Sequence, residues 1–219
     1  MKRILAVTSS TAVVGVAAAS LADAAQMRLA ASQQVTTDRR HAEEITPMIA
    51  SVLAAAGWTV SDVDVFAVDI GPGRFTGLRV GLATVRSLAL AVDAPVVGIT
   101  SLELLAADEP GPVNAVIDAR RSEVFQQRFV DGVAVGQALV GPAVDMATLI
   151  EAGDTILGDG ADRYLESYVD AQHVAGREPQ AATLARLAFG RTPVPGPEVE
   201  PLYLRDADVQ INIKTRHNS

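Results

Sequence analysis

Short apolar runs separated by polar turns dominate the start of the chain. Residues 4–7 and 13–19 form two such runs, and a third, more polar one covers residues 27–35. Runs of this length between turn residues are typical of β-strands rather than helices. We therefore predict three consecutive strands, with Asp23 in the turn between the second and the third.

The apolar period changes further along the chain. Apolar side chains recur every third or fourth position over residues 45–56, which predicts the buried stripe of an amphipathic helix. Gly57 is expected to end this helix as its C′ residue. Pro47 has to lie near the first turn, because a proline further inside would kink the helix. The stripe consists of Ile45, Met48, Ile49, Val52, Leu53 and Ala56.

Strand and helix patterns then alternate. A strand over 63–70, a helix over 76–92 and a strand over 95–99 are followed by a helix that begins near residue 101. Apolar strands that alternate with helices are typical of parallel βαβ units with right-handed crossovers. This order of elements predicts an α/β fold.

A second group of strands follows Gly111, with a hairpin turn at Asp131-Gly132. The Pro-rich segment 192–201 is typical of an extended linker. The predicted strands of this part cover residues 113–119, 123–130, 133–140 and 155–157. The predicted helices cover residues 146–152, 162–169 and 181–189.

An acidic composition without cysteine narrows the functional classes. The 219 residues are 49% hydrophobic and carry a net charge of −8, which supports a substantial core and disfavours direct binding of nucleic acid. The lack of cysteine excludes disulfides and thiolate metal sites and fits a cytoplasmic location. No apolar run reaches the about 20 residues that span a bilayer. Polar residues 8–11 interrupt the first apolar region, which disfavours a signal peptide.

The glycine-rich segment DIGPGRFTGLRVG covers residues 69–81, between a predicted strand and a predicted helix. A P-loop would need a lysine here, and the segment has none. A dinucleotide-binding loop would need an acidic residue at the end of the next strand, and the sequence PVVGIT has none. Backbone N–H groups at the helix start, with Arg74 and Arg79 nearby, still allow an anion contact.

The helix over 76–92 has small side chains on one side, including Gly77, Gly81 and Thr84. A glycine within a helix costs roughly 1 kcal/mol relative to alanine, which favours a packing reason for both glycines. The partner in this close packing is either the chain's own helix over 45–56 or a helix of another subunit, and both arrangements can coexist. In the second case, Gly81→Leu is expected to block docking and to leave the monomer folded.

Five segments occur in the order and spacing of one protein family, the TsaB (YeaZ) family, which the chain resembles over about residues 3–130 and again in the segment PLYLR. The block GPGRFTGLRVG is the most specific of these features. The five segments are ILAVTSST (4–11), RRHAEEITPMI (39–49), DVFAVDIGPGRFTGLRVGLATVRSLALA (64–91), PVVGITSLELLA (95–106) and IDARRSEVF (117–125).

This resemblance implies an actin-like fold of the Hsp70 and sugar-kinase type (ASKHA) with two subdomains. Residues 1–108 would form the N-terminal subdomain with the docking helices, residues 109–195 the C-terminal subdomain and residues 196–219 an extended tail. The family supplies the non-catalytic partner of TsaD, which transfers a threonylcarbamoyl group to the adenosine beside the tRNA anticodon. It implies cytoplasmic localisation and no membrane contact.

The resemblance also implies how the subunits associate. The helices over 45–56 and 76–92 would pack against an equivalent pair of TsaD, and the same helices could form a homodimer. TsaE would be a further partner, and tRNA would be bound only through the complex. ATP and metal would be used by the partner subunits, with no cofactor held by this chain alone. The implied contact residues are Ile45, Met48, Ile49, Val52, Gly77, Gly81, Thr84 and Ser87.

Departures from related sequences argue against catalysis by this chain. TsaD-like proteins carry a metal-binding His pair where this chain has Ser101 and Leu105, and neither residue can replace imidazole. Thr8 stands where the family usually has an aspartate, which weakens the case for ATP hydrolysis. Of the three histidines, His41 is interpreted as a surface residue or as a polar contact at a helix start. No catalytic residue and no metal site are predicted.

Two enzymatic alternatives follow from the superfamily. An ATP-dependent enzyme of the sugar-kinase type would use Asp69 or Asp118 as its acid, although Asp118 is equally well explained as a turn residue that pairs with arginine. A glycopeptidase of the M22 type would need the missing His pair. Turnover of ATP by the isolated protein would favour the first alternative, and metal-dependent cleavage of a glycoprotein would favour the second.

Overall fold

Two five-stranded sheets, each covered by helices, make up the protein in a computed structural model that describes residues 1–21, 26–37 and 40–204. The predicted turn at Asp23 and most of the predicted tail lie outside the described residues. None of the helices in the described ranges is long and apolar enough to cross a bilayer.

The first sheet has the strand order β3-β2-β1-β4-β5. Strands β1, β2 and β3 pair antiparallel, whereas β1, β4 and β5 are parallel, as the strand–helix alternation predicts. The five strands are β1 (Lys2–Thr8), β2 (Val13–Leu21), β3 (Met27–Thr36), β4 (Val65–Asp69) and β5 (Val96–Ile99).

Helices α1 (His41–Ala56) and α2 (Phe75–Ala91) cover one face of this sheet. Gly57 ends α1 in the left-handed conformation, as predicted. The helix begins four residues before the predicted start, so Pro47 lies in its second turn rather than its first. Pro47 has no N–H to donate to the carbonyl group of residue 43, and the pattern of buried residues continues past it without a break.

The second sheet has the strand order β10-β9-β6-β7-β8, with β6, β7 and β8 antiparallel. Asp131 and Gly132 both have positive φ, which is the two-residue hairpin turn that the sequence predicts. The five strands are β6 (Pro112–Arg120), β7 (Glu123–Val130), β8 (Val133–Pro142), β9 (Thr155–Leu157) and β10 (Gln172–Val174).

The shorter helices agree less well with prediction. The helix predicted over 146–152 is α4 (Ala143–Ala147), and the one predicted over 162–169 is α5 (Asp159–Arg163) followed by a 3₁₀ turn. Short helices lack a long apolar period, so their bounds are decided by packing. In contrast, α3 (Ser101–Ala106) and α6 (Ala181–Phe189) lie where the sequence places them.

Helix α6 follows the second sheet in the chain but packs on the first. Its buried Leu184 and Ala185 share a core with Ile4 and Ala17, on the face opposite α1 and α2. The Pro-rich segment after α6 is also packed rather than free: Val194 pairs with Val96, and Val199 lies in the core under α2. The prediction of a linker there is wrong, because apolar valines between the prolines anchor the segment.

Candidate functional site

The turn between β1 and β2 is the most deeply buried polar segment of the first sheet. Its residues Thr8, Ser9, Ser10 and Thr11 are each at most 2% exposed. A polar turn is usually at the surface, because its backbone groups need partners. This turn is instead held between the glycine-rich segment, α1 and the second half of the chain.

Three glycines of the glycine-rich segment 69–81, spaced four residues apart, pack directly against the turn. A Cβ atom on Gly73 would overlap the carbonyl oxygen of Ser10, and one on Gly77 would overlap that of Ser9. A Cβ on Gly81 would overlap the hydroxyl of Ser9. The close packing inferred from the helix glycines is therefore real, but its main partner is a turn of the same chain. Gly81→Leu would disturb the monomer itself, contrary to the expectation above.

Hydrogen bonds fasten the turn to both helices. The Arg74 N–H donates to the Ser10 carbonyl at 2.6 Å, and the Ser9 hydroxyl donates to the Gly77 carbonyl at 3.0 Å. His41 Nε2 donates to the Thr11 carbonyl at 2.9 Å. His41 is buried at the start of α1, so its interpretation as a surface histidine is wrong and the alternative of a polar contact is correct.

Asp69 lies beneath the turn with no exposed surface. Its carboxylate accepts hydrogen bonds from Ser10, from Ser101 at 2.5 Å and from the Gly71 N–H at 2.9 Å. Burial raises the pKa of Asp69 and outweighs these hydrogen bonds, which favour the charged form. Ser101 therefore ties α3 to β4 and to the turn.

Acidic groups meet where the two sheets adjoin. The Thr11 hydroxyl donates to Glu178 at 2.6 Å, and burial raises the pKa of both Glu178 and Asp159. The positive charge of Arg74 acts on both carboxyl groups. Asp118 lies within 3.6 Å of Arg120 and Arg163, so its predicted pairing with arginine is confirmed, although it lies in strand β6 rather than in a turn. Ionised carboxyl groups at this junction would repel a triphosphate that carries no metal ion.

The apolar residues predicted to contact a partner lie inside this chain. Ile45, Met48, Ile49 and Val52 are at most 4% exposed and pack on the first sheet. Gly77 and Gly81 are buried against the turn. All six residues are packed within this chain, and their contact with a partner subunit stays a prediction that nothing in this packing supports. Thr84 is half-buried and Ser87 exposed, so only these two face outward.

The outward face of the helix pair carries other side chains, almost all small and uncharged. After Glu44, α1 has no charged residue up to its end. The exposed positions of α2 beyond Arg79 are uncharged as well. On α1 the exposed side chains are Ala42, Glu43, Thr46, Pro47, Ala50, Ser51, Ala54 and Ala55. On α2 they are Phe75, Thr76, Arg79, Ala83, Ser87, Leu90 and Ala91.

The two arginines predicted to contact an anion have different surroundings. The Arg74 guanidinium interacts with the carboxyl groups at the junction of the sheets. The Arg79 guanidinium lies 3.7 Å from the centre of the Phe75 ring and donates to the Tyr203 hydroxyl at 3.0 Å. Both guanidinium groups thus have partners within the chain, and an anion contact stays a prediction.

Histidine and carboxylate groups do not gather into a metal site in the described ranges. Within them, no three His, Cys, Asp or Glu side chains lie close enough to hold a metal ion. His41 is used by the turn, His173 lies 2.7 Å from Asp162, and His217 is outside the described residues. Leu105, at the second position of the missing His pair, is buried in the core beneath the second sheet.

Comparisons with known proteins give a coherent set of matches. A family model described as TsaD, tRNA N6-adenosine threonylcarbamoyltransferase, matches residues 29–159. An uncharacterized protein of Mycobacterium tuberculosis is 35% identical over 179 residues, which are 81% of this chain and 82% of that protein.

Two further matches carry informative names. The tRNA threonylcarbamoyladenosine biosynthesis protein TsaB of Escherichia coli is 34% identical over 107 residues, 45% of this chain and 46% of that protein. The solved structure of YeaZ from Pseudomonas aeruginosa superimposes with a TM-score of 0.80 at 30% identity and covers 93% of this chain and 100% of that one.

Proposed function

The chain belongs to the TsaB (YeaZ) family, and we propose that it is the non-catalytic partner subunit of a tRNA threonylcarbamoyladenosine transferase. In this role it binds the catalytic subunit TsaD and supports its reaction at the adenosine beside the anticodon. The family's actin-like α/β fold supplies the scaffold, with the helix pair α1–α2 on its outer side.

The observation that carries this proposal is the outward face of α1 and α2. One fifth of the chain is charged, yet from Ile45 to the end of α1, and beyond Arg79 on the outer face of α2, this surface is uncharged. Alanine, serine and threonine predominate there, and small side chains let the backbone of another helix approach closely. A surface helix without a docked partner usually carries charged residues on its outer face.

A helix pair of similar character fits this surface best. Leu90, which is 75% exposed, and Phe75, which is 44% exposed, lie at opposite ends of α2. They would act as apolar anchors at the two ends of an otherwise shallow contact, in the manner of interface hot spots. The contact residues of the proposal are therefore the outward ones, such as Ala50, Ala83 and Ser87.

The interior polar groups support an accessory role. In the turn of residues 8–11, the hydroxyl groups of Ser9 and Ser10 and the carbonyl groups of Ser10 and Thr11 are hydrogen-bonded within the chain. The turn is also at most 2% exposed, so a phosphate has no open approach to it. Glu178 and Asp159 place carboxyl groups beside it. We therefore infer that ATP and metal are used by partner subunits, including TsaE, and that this chain holds no cofactor at the buried turn. Transfer RNA is reached in the cytoplasm through the assembled complex.

The decisive experiment places one large charge on the outward face. We expect Ala50→Arg and Ser87→Arg each to weaken binding to TsaD at least tenfold, because an arginine would be desolvated without a partner. Binding is measured by isothermal titration calorimetry with purified TsaD. The matched control is Val144→Arg, an exposed position on α4 beneath the second sheet, which should leave affinity unchanged.

Two results would contradict the proposal. Unchanged affinity in both helix variants, with folding verified by thermal melting, would place the TsaD contact elsewhere. Binding of wild-type protein to itself but not to TsaD would make the helix pair a homodimer surface instead. Sedimentation of each protein alone and of the mixture separates these outcomes.

A further inference from the structure

A cavity of about 460 Å³ lies at the end of the first sheet opposite the buried turn. It is partly open to solvent and is bordered by the beginnings of β1 and β3, the end of β2 and the segment from the end of α1 to Trp58. Arg3 in the cavity wall and Thr8 in the buried turn lie at opposite ends of β1, about 17 Å apart at a rise of about 3.3 Å per strand residue. The cavity is thus separate from the sheet junction, and it adjoins the outward face of α1 only at Ala55. Its volume is within the range of small-molecule sites, about 300–1,000 Å³.

The charged side chains that line this cavity are all basic. They are Arg3 and Arg28, and no carboxylate of the described ranges belongs to its wall. Arg3 forms an ion pair with Asp62 at 2.7 Å, which fixes the orientation of its guanidinium group from outside the cavity. The side chain of Arg28 makes no hydrogen bond or ion pair with any residue in the described ranges, although its backbone pairs with β2 opposite Ser20. In a chain of net charge −8, a cavity whose described charged side chains are both arginines favours an anionic ligand.

An aromatic wall adjoins these charges. The Arg3 guanidinium carbon lies 5.3 Å from the centre of the Trp58 ring, so the indole is held in place by a cation–π contact. Leu29, Ala55 and Ala56 add apolar surface beside the ring, and Ser20 adds a hydroxyl group. A flat aromatic wall next to a guanidinium group without a partner can stack a planar ring and bind an attached anion.

We propose that this cavity binds a nucleotide, with the base beside Trp58 and the phosphate on Arg28. Arg3, whose charge is balanced by Asp62, holds the indole, and Ser20 offers a hydrogen bond to the base or the sugar. The proposal goes beyond the docking function and does not rest on it, because the cavity and the helix pair share no outward contact residue other than Ala55. The nucleotide is either a free mononucleotide or an unpaired nucleotide of an RNA, since both present the same chemistry.

Trp58 makes the proposal directly measurable because it is the chain's one tryptophan. AMP and a short single-stranded oligoadenylate are each titrated while Trp58 fluorescence is followed, and equilibrium dialysis with the same ligands gives an independent affinity. We expect saturable binding of at least one of them. Adenosine lacks the phosphate and inorganic phosphate lacks the base, so each should bind at least tenfold more weakly than the nucleotide. Tighter binding of AMP identifies a free nucleotide as the ligand, and tighter binding of the oligonucleotide identifies RNA.

Arg28→Ala is the test of mechanism. It should weaken nucleotide binding at least tenfold and leave the melting temperature unchanged, because the side chain is exposed. Arg191→Ala removes an exposed arginine on another part of the molecule and serves as the matched control. Absence of saturable binding to the wild type by both methods overturns the proposal. Equal losses in the two variants also overturn it, because they would indicate a general charge effect.

Discussion

Gly77 illustrates how much a single residue can decide in this protein. In the sequence it is a costly glycine inside a helix. In the structure it is the position at which the carbonyl of Ser9 and the ring of His41 reach the backbone of α2. The sequence indicated that something approaches closely there, but it could not indicate what, because the partner is almost seventy positions away.

Gly77→Ala is therefore expected to destabilise the monomer by roughly 1–3 kcal/mol, as overpacking does. In an ordinary helix the same change would stabilise by about 1 kcal/mol, so the two explanations predict opposite signs. Urea unfolding followed by Trp58 fluorescence measures the difference. Gly190→Ala is the control, because Gly190 has negative φ and no close neighbour, and it should change stability little. Stabilisation by Gly77→Ala would refute the close approach.

At the scale of elements, Asp69 is the point where several segments are joined. It ends β4, and its carboxylate binds the turn after β1 through Ser10 and the start of α3 through Ser101. The sequence places Asp69 at a strand end and Ser101 at a helix start, and both placements are confirmed. That they would meet could not be predicted without knowing that β4 and β5 are adjacent and parallel.

The raised pKa of Asp69 predicts how stability varies with pH. A group whose folded pKa lies above its unfolded value of 3.8 stabilises the fold most below that value and loses this contribution as pH rises through the folded pKa. Relative to Asp69→Asn, the wild type should therefore become progressively less stable above about pH 4. The measurement is the free energy of unfolding of both proteins across the acid range. Asp93→Asn, at an exposed position, corrects for the loss of one negative charge. The prediction would be contradicted if the free energy of unfolding of the wild type rose with pH relative to that of Asp69→Asn.

Long elements and short ones differed in how well they could be predicted. The strands of the first sheet and helices α2 and α6 have sustained apolar periods, and their positions are confirmed within a few residues. The start of α1 was missed because His41 supplies a buried polar contact that no apolar pattern shows. The inward stripe of α1 was found correctly but was interpreted as a subunit contact, although periodicity alone indicates only that a face is buried.

At the scale of the whole molecule, the return of α6 to the first sheet links both halves. The chain leaves the first sheet after α3, builds the second sheet and then places Leu184 in the core beside β1 and β2. The α/β fold of the actin-like type, expected from the family resemblance, is confirmed by the YeaZ structure. The residue bounds of the two subdomains stay a prediction.

Leu184→Ala tests this linkage. The leucine is fully buried, so we expect a loss of about 2–5 kcal/mol. Trp58 fluorescence reports unfolding near the first sheet, and hydrogen exchange of the β6 amides reports the second. Both should show the same loss of stability if the halves unfold together. Leu165→Ala, at a partly exposed position, should cost within about 0.5 kcal/mol. Retention of full β6 protection in Leu184→Ala would show that the second sheet is independently stable.

The sequence by itself determined the features that depend on neighbours along the chain. These are the periods of the long elements, the Asp131-Gly132 hairpin, the C′ glycine of α1 and a glycine-rich block specific enough to indicate the family. Only the tertiary structure decided which group fills the space above Gly77 and Gly81, which side of α1 faces outward and which sheet α6 covers. Such contacts join residues far apart in the chain, so they are set by the packing of the whole core and have no local signature.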